Sequence, residues 1–170
     1  MQMEKIDYPY LPEGKTIKYA GADNYFMKTA KEVCRALSTD RQHPTGAVLV
    51  KDGKIILRSA NQSAIKNKKL LTFHQKGYCP RKILKIPSGK KYWLCPGCAS
   101  SRNHAESRLM KEARENEIET HDSDVYLWGH WWCCKPCWKS MIQAGIRDVY
   151  LLEGSEKFFD KTRPDNIIGK

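Results

Sequence analysis

Apolar residues Phe26, Ala30, Val33, Cys34 and Leu37 recur at helical spacing behind Asn24, whose side chain can cap a helix. The pattern predicts a helix from there to about Leu37, followed by a turn over Ser38–Pro44. The unbroken apolar run Gly46-Ala-Val-Leu-Val50 predicts a strand, Asp52-Gly53 a hairpin turn, and Lys54–Ala60 the partner strand. Helical spacing returns over His104–Glu115. Val125–Gly129 predicts a strand, Cys134–Ala144 a helix that stops at the C-cap residue Gly145, and Asp148–Leu152 a further strand. The tail 153–170 predicts a short helix around Lys157–Asp160. Residues 1–22, with Pro9, Pro12, Gly14 and Gly21, read as an irregular N-terminal arm. Residues 64–103 lack a clear period and read as an insertion. Strands alternating with helices predict an α/β sandwich with helices on the sheet faces.

The chain has 170 residues, a length that favours a single domain, and 41% hydrophobic residues with 5 Trp, 8 Tyr and 4 Phe supply a core. No apolar run approaches the roughly 18–20 residues that span a bilayer. The first residues hold no basic stretch followed by an apolar one, so membrane and export roles are excluded as first readings and a cytoplasmic location is expected. The 7 cysteines, an odd number, argue for metal binding or chemistry over a disulfide framework. Charge sharpens the picture. Lys and Arg number 30 against 19 Asp and Glu, for a net +11. The basic segment 64–103 contains no acidic residue at all. An anionic partner follows: nucleotide, nucleic acid or phosphate.

Two short motifs carry the chemistry, His104-Ala105-Glu106 and Cys134-Lys135-Pro136-Cys137, both at predicted helix starts. The two cysteines are spaced to share a helix face. One imidazole and two thiolates make three zinc ligands and leave the fourth tetrahedral position for water, the mark of a catalytic zinc. Such a metal lowers the pKa of its water to about 7. Glu106, two residues from the ligand histidine, is placed to take and return the proton. An H-x-E motif followed by C-x-x-C is the signature of zinc deaminases. Cys133 stands where that signature has proline and is a rival ligand, with Cys134 preferred because it keeps the two-residue gap.

On these residues the sequence resembles the deoxycytidylate deaminases of the wider cytidine deaminase superfamily, over most of 23–152. The likeness includes Asp23-Asn-Tyr-Phe-Met-Lys-Thr-Ala, Thr45-Gly-Ala-Val-Leu-Val-Lys-Asp-Gly-Lys-Ile-Ile and Ile142-Gln-Ala-Gly-Ile146 before Val149-Tyr-Leu. Cys79-Pro-Arg81, Ile86-Pro-Ser-Gly89 and Cys95 are similar to an insertion found in archaeal and some bacterial members. The resemblance implies a three-layer sandwich with a mixed central sheet of about five strands flanked by helices. It also implies one zinc per active site, hydrolytic loss of a 4-amino group, a homo-oligomer, and a sugar contact by Asn61. The chain departs from the family at Ser59-Ala-Asn61-Gln-Ser, where members have Gly-Tyr-Asn-Gly, and at Arg108, where they have Asn.

The expected activity is zinc-dependent deamination of a cytosine nucleotide, dCMP to dUMP. Rival readings are a deaminase of single-stranded DNA or tRNA and a non-catalytic zinc or nucleic-acid-binding protein. His74, Cys79, Cys95 and Cys98 form a candidate for a second, structural zinc; reduced cysteines packed under a loop are the alternative. Candidate substrate contacts are Asn61, Ala105, Trp131, and Arg81 with Lys82 for the 5′-phosphate. Only one of Trp131 and Trp132 is expected to wall the base, because neighbours on a strand face opposite ways. His130 reads as structural, with a substrate contact as the alternative.

Overall fold

The computed structural model describes residues 9–40, 42–86 and 90–168. Part of the N-terminal arm and the Pro87-Ser88-Gly89 stretch of the family likeness therefore lie outside the described residues. The elements run β1 (Ile17–Ala20), α1 (Tyr25–Leu37), β2 (Gly46–Lys51), β3 (Lys54–Ala60), α2 (Lys68–Gln75) and α3 (Pro80–Ile83). They continue with α4 (Ala105–Glu115), β4 (Asp124–Trp128), α5 (Lys135–Gln143), β5 (Asp148–Leu152) and α6 (Ser155–Phe159). The strands form one mixed sheet in the order β1-β5-β4-β2-β3. β5 pairs parallel to both β1 and β4, and β2 pairs antiparallel to both β3 and β4.

The apolar runs have a plain cause: the central strands are covered on both faces. Ala47, Leu49, Val125, Leu127, Val149 and Leu151 meet Leu109 of α4 and Trp138 and Met141 of α5 on one face. Val48, Val50, Tyr126 and Leu152 meet Met27, Ala30 and Val33 of α1 and Phe159 of α6 on the other. Successive residues of β2 thus enter different cores, which is why that strand shows no polar alternation. Asn24 starts α1 by accepting the N–H groups of Phe26 (3.0 Å) and Met27 (3.1 Å). Three layers result, with α1 and α6 on one side of the sheet and α4 and α5 on the other. Among the described residues no helix is long and apolar enough to cross a membrane.

Three expectations need correction. The arm is not irregular throughout: Ile17–Ala20 adds an edge strand, with Ile17 beside Val149. Lys18 and Tyr19 remain exposed there, so the strand carries no apolar run to read. The 64–103 segment is also partly regular. Asn67 caps α2 through the N–H groups of Lys69 and Leu70, yet His74 is the one buried residue of that helix, so no apolar stripe marks it. Short 3-10 turns at Tyr92–Leu94 and Ser101–Asn103 complete the segment. The tail helix begins at Ser155, two residues earlier than the sequence suggests.

One register decides where function sits. Gly46 pairs with Ala60 on one side and Trp128 on the other. The start of β2 and the ends of β3 and β4 therefore lie side by side. Gly46 is also pressed against α1: a Cβ there would stand 2.4 Å from the Cys34 nitrogen and 2.5 Å from the Ala30 oxygen. We expect Gly46→Ala to cost about 1–3 kcal/mol, the usual range for overpacking against a fixed neighbour. At this size each kcal/mol lowers Tm by about 2–4 °C. A thermal melt indistinguishable from that of the unsubstituted protein would show that β2 can back away from α1.

Candidate metal centre

The edge defined by Gly46, Ala60 and Trp128 also receives the starts of α4 and α5. His104 and Cys134 are the N-cap residues of those helices. The Cys134 Sγ lies 3.5 Å from His104 Nδ1, the Cys137 Sγ 3.6 Å from the same nitrogen, and the two sulfurs are 3.3 Å apart. A tetrahedral zinc with ordinary Zn–S and Zn–N bonds needs ligand-to-ligand edges of about 3.5–3.8 Å. The three donors fit that ion closely, with the sulfur pair slightly tight. Hydrogen bonding with Cys137, helped by the His104 ring, lowers the Cys134 thiol to about 5. Its partnership with Cys134, then burial, holds Cys137 well above the ordinary range. Metal loading must therefore expel the Cys137 proton, and binding weakens in acid.

Glu106 occupies the first turn of α4 and is buried. Burial raises its carboxyl pKa, opposed by the His104 ring. The Cys133 thiol hydrogen-bonds this carboxylate. Cys133 is thus turned to Glu106 and lies outside the His104, Cys134 and Cys137 cluster.

A cavity of about 630 Å³ opens over this centre, lined by His104, Glu106 and Cys134 together with Asn61, Trp131 and Trp132. Both tryptophans line it, against the expectation of one. The chain leaves β4 at Gly129 with a φ of +101°, so the period-two alternation of a strand has ended before Trp131. The two rings still pack on opposite cores. Sequence reasoning missed His43, whose ring stacks on His130 at 4.5 Å and lines the same cavity. Its Nε2 donates to the Gly129 carbonyl at 2.9 Å, and His130 Nδ1 accepts the Trp131 and Trp132 N–H groups. These bonds fix one tautomer for each neutral ring. Burial, reinforced by the Lys161 charge, lowers His43 to about 3; burial and His43 itself hold His130 well below the usual histidine range.

The other candidates divide. Asn61 lines the cavity, but its side chain is committed to the 38–45 turn. Its Oδ1 accepts from Ser38 Oγ (2.6 Å) and the Thr45 N–H (2.9 Å), and its Nδ2 donates to the His43 carbonyl (2.8 Å). One amide hydrogen is left for a ligand. Ala105 is fully buried in the core and is not among the cavity-lining residues. Arg81 and Lys82 both line the cavity. The Arg81 Nε donates to the Lys90 carbonyl at 2.9 Å and its guanidinium lies 4.1 Å from the Tyr92 ring centre.

A second cluster borders the same cavity. Cys79 Sγ lies 3.6 Å from both Cys95 Sγ and Cys98 Sγ, and His74 Nε2 lies 3.4 Å from Cys98 Sγ. All four residues are buried. This is a closed Cys₃His set with edges suited to structural zinc. Burial keeps the His74 ring neutral, the form that ligates, and pushes the Cys98 thiol up to about 12.

The family model described as the cytidine and deoxycytidylate deaminase zinc-binding region matches residues 21–153. The chain belongs to this family. Zinc is therefore its metal, and His104, Cys134 and Cys137 are the donors suited to it. No curated protein matches the chain. Among solved structures, it is similar to the dCMP deaminase from the cyanophage S-TIM5 in complex with dCMP and dUMP: 18% identity and a TM-score of 0.47 over 74% of this chain and 76% of that one. The guanine deaminase from Bacillus subtilis gives 20% and 0.42 over 82% and 73%. A diaminohydroxyphosphoribosylaminopyrimidine deaminase/5-amino-6-(5-phosphoribosylamino)uracil reductase from Thermotoga maritima gives 21% and 0.44 over 74% of this chain. The chain spans 28% of that last protein's length. These proteins are named for different substrates.

Two measurements follow. Metal analysis should find two zinc ions per chain, one lost in Cys134→Ala and the other in Cys98→Ser. A stoichiometry near one that Cys98→Ser leaves unchanged rejects the second site. In nitrogen NMR the His43 ring should read neutral at pH 5. A histidine held neutral by folding stabilises the fold above its unfolded pKa of about 6.5 and loses that contribution as pH falls toward its folded value. A His43 titration midpoint at or above about 6 would be incompatible with this environment.

Proposed function

We propose that the protein hydrolytically deaminates a cytosine nucleotide, converting dCMP to dUMP and ammonia. The observation that carries this reading is Glu106: a buried carboxyl beside a three-donor zinc set, inside a cavity of single-nucleotide size. A structural zinc has no use for such a group. Bound zinc would supply a Lewis acid that makes water a nucleophile near neutral pH.

The chain's own residues do the rest. Glu106 accepts a proton from the attacking water and delivers it to N3 of the cytosine ring as the water oxygen bonds to C4. It then passes the second water proton to the 4-amino group. The C4–N bond breaks with its electron pair leaving on nitrogen, ammonia departs, and the N3 proton stays with the uracil product. The raised pKa of Glu106 suits both giving and taking a proton. Trp131, Trp132 and the neutral His43–His130 stack offer flat walls to a base. The rings leave His43 Nδ1 as an acceptor and the His130 Nε2–H as a donor, since their other nitrogens are engaged.

A second reading, deamination of cytosine within single-stranded nucleic acid, draws on the basic segment. Phe73 is 56% exposed, Tyr78 66% and Trp93 78%, a set of rings among lysines that suits base stacking along a phosphate backbone. An ammonia-release panel over dCMP, deoxycytidine, single-stranded DNA and tRNA separates the two readings.

Glu106→Gln keeps the shape of the side chain but cannot carry a proton. It should lower turnover by at least about 10²–10⁴-fold, some 3–5 kcal/mol of barrier, while zinc content and Tm hold. Turnover, zinc and melting are to be read on one sample. A Gln variant within a few-fold of full activity would overturn the catalytic role.

A further inference from the structure

The phosphate-binding candidates read from the sequence, Arg81 and Lys82, fare differently in the fold. Arg81 is buried, anchored to the Lys90 carbonyl and stacked on Tyr92, so it builds the cavity wall. Lys82 remains exposed at the cavity. A second cation reaches the same cavity from a different part of the chain. Lys161 lies beyond residue 153, where the family match ends.

The tail holds Lys161 in place from both sides. Phe159 is buried against Trp128, ring centres 5.2 Å apart. Asp160 Oδ1 accepts the Thr162 N–H at 2.9 Å and the Thr162 hydroxyl at 2.7 Å. Between these anchors the Lys161 ammonium donates to the Gln42 carbonyl. That oxygen is a neutral partner for a full charge. Asp40 is the carboxylate whose charge favours that of Lys161, and backbone N–H groups occupy three of its roughly four acceptor sites. Oδ1 accepts the Gln42 and His43 N–H groups (3.0 and 3.2 Å), and Oδ2 accepts the Ala99 N–H (3.0 Å).

The location is informative. The stacked His43 and His130 line the cavity together with His104 and Lys161, so the metal centre and the lysine face one space. Lys161 keeps an exposed surface, yet desolvation of its ammonium first, and the Lys82 charge after it, lower its pKa against the pull of Asp40, Cys98 and Cys79. Two cations sharing one cavity at the cost of mutual repulsion are relieved by an anion between them. We propose that Lys161, together with Lys82, receives a phosphate group of the substrate, which makes the tail after the family region part of the nucleotide site. This rests on the nucleotide-deaminase reading above for the identity of the substrate, though the phosphate site itself does not.

Calorimetric titration of the zinc-loaded protein with inorganic phosphate tests the site without turnover. Lys161→Ala should weaken phosphate binding about 10–100-fold, the range for loss of a charge-assisted hydrogen bond, with Tm and zinc unchanged. Lys161→Arg should recover part of it. The ratio of kcat/KM for dCMP over deoxycytidine should fall about 10–100-fold in Lys161→Ala, because only the nucleotide carries the phosphate. Phosphate affinity unaffected by Lys161→Ala, no measurable phosphate binding by the unsubstituted protein, or an unchanged ratio would each overturn the proposal. If neither dCMP nor deoxycytidine releases ammonia, the deaminase reading fails, and the phosphate titration still decides Lys161.

Discussion

The molecule depends on one packing constraint, the close approach of β2 to both its strand partners and α1 at Gly46. A side chain there would meet helix backbone, which cannot give way as the end of a flexible side chain can. With that contact made, the register fixes Ala60 and Trp128 beside Gly46, and three chain exits converge. The turn before β2 brings Asp40, His43 and Thr45. The exit from β3 brings Asn61, which ties that turn together with three hydrogen bonds. The exit from β4 passes so close to the turn that a Cβ at Gly129 would stand 2.2 Å from the Pro44 oxygen. From there it is five residues to the first ligand cysteine. The metal centre is thus held by sheet geometry and helix starts, and its ligands come from ordered backbone.

Burial gives the centre its chemical character. Glu106 sits where water is scarce, so its proton is held more tightly than in solution. The neighbouring imidazoles respond in the opposite sense and stay neutral. A carboxyl that gains a proton and histidines that refuse one suit a reaction that must move protons at the ring and the leaving amine while adding no stray cation beside the metal. Asp40, also buried, accepts three backbone N–H groups, and through that of Ala99 it joins the turn before β2 to the cysteine-bearing segment.

The sequence made the metal-ligand set and most helices legible because each has a short-range cause: an Asn cap, an i, i+3 cysteine pair, an apolar stripe. The apolar runs of β2 and β4 were equally plain, since burial on both faces removes polar positions. Legibility failed where the cause lies elsewhere in the chain. β1 is an edge strand whose only signal is its partner β5. α2 buries a single histidine, so its spacing records a cluster of cysteines 5 to 24 residues away rather than a core. His43 is an ordinary turn residue in sequence. Only the fold stacks it on His130. Lys161 had no pattern at all, being one lysine in a polar tail.

Two of these misses, α2 and Lys161, lie in additions to the common frame. Residues 21–153 carry His104, Glu106, Cys134 and Cys137, yet cavity walls also come from the 64–103 segment within that region and from the tail beyond it. The segment has little apolar material to bury: Leu70, Ile83 and Leu84 are more than half exposed, as are its three outward rings. Hydrophobic burial of that scale cannot hold Arg81 and Tyr92 against the catalytic cavity. A metal ion on the His74, Cys79, Cys95 and Cys98 set would, because ligand bonds to one ion replace a missing core. Two of those residues, Cys79 and Cys98, themselves line the cavity. The physical consequence is a division of roles. The sheet and helix starts position His104, Glu106, Cys134 and Cys137, while the 64–103 segment and the tail line the cavity beside them, so that wall can change without disturbing the register at Gly46.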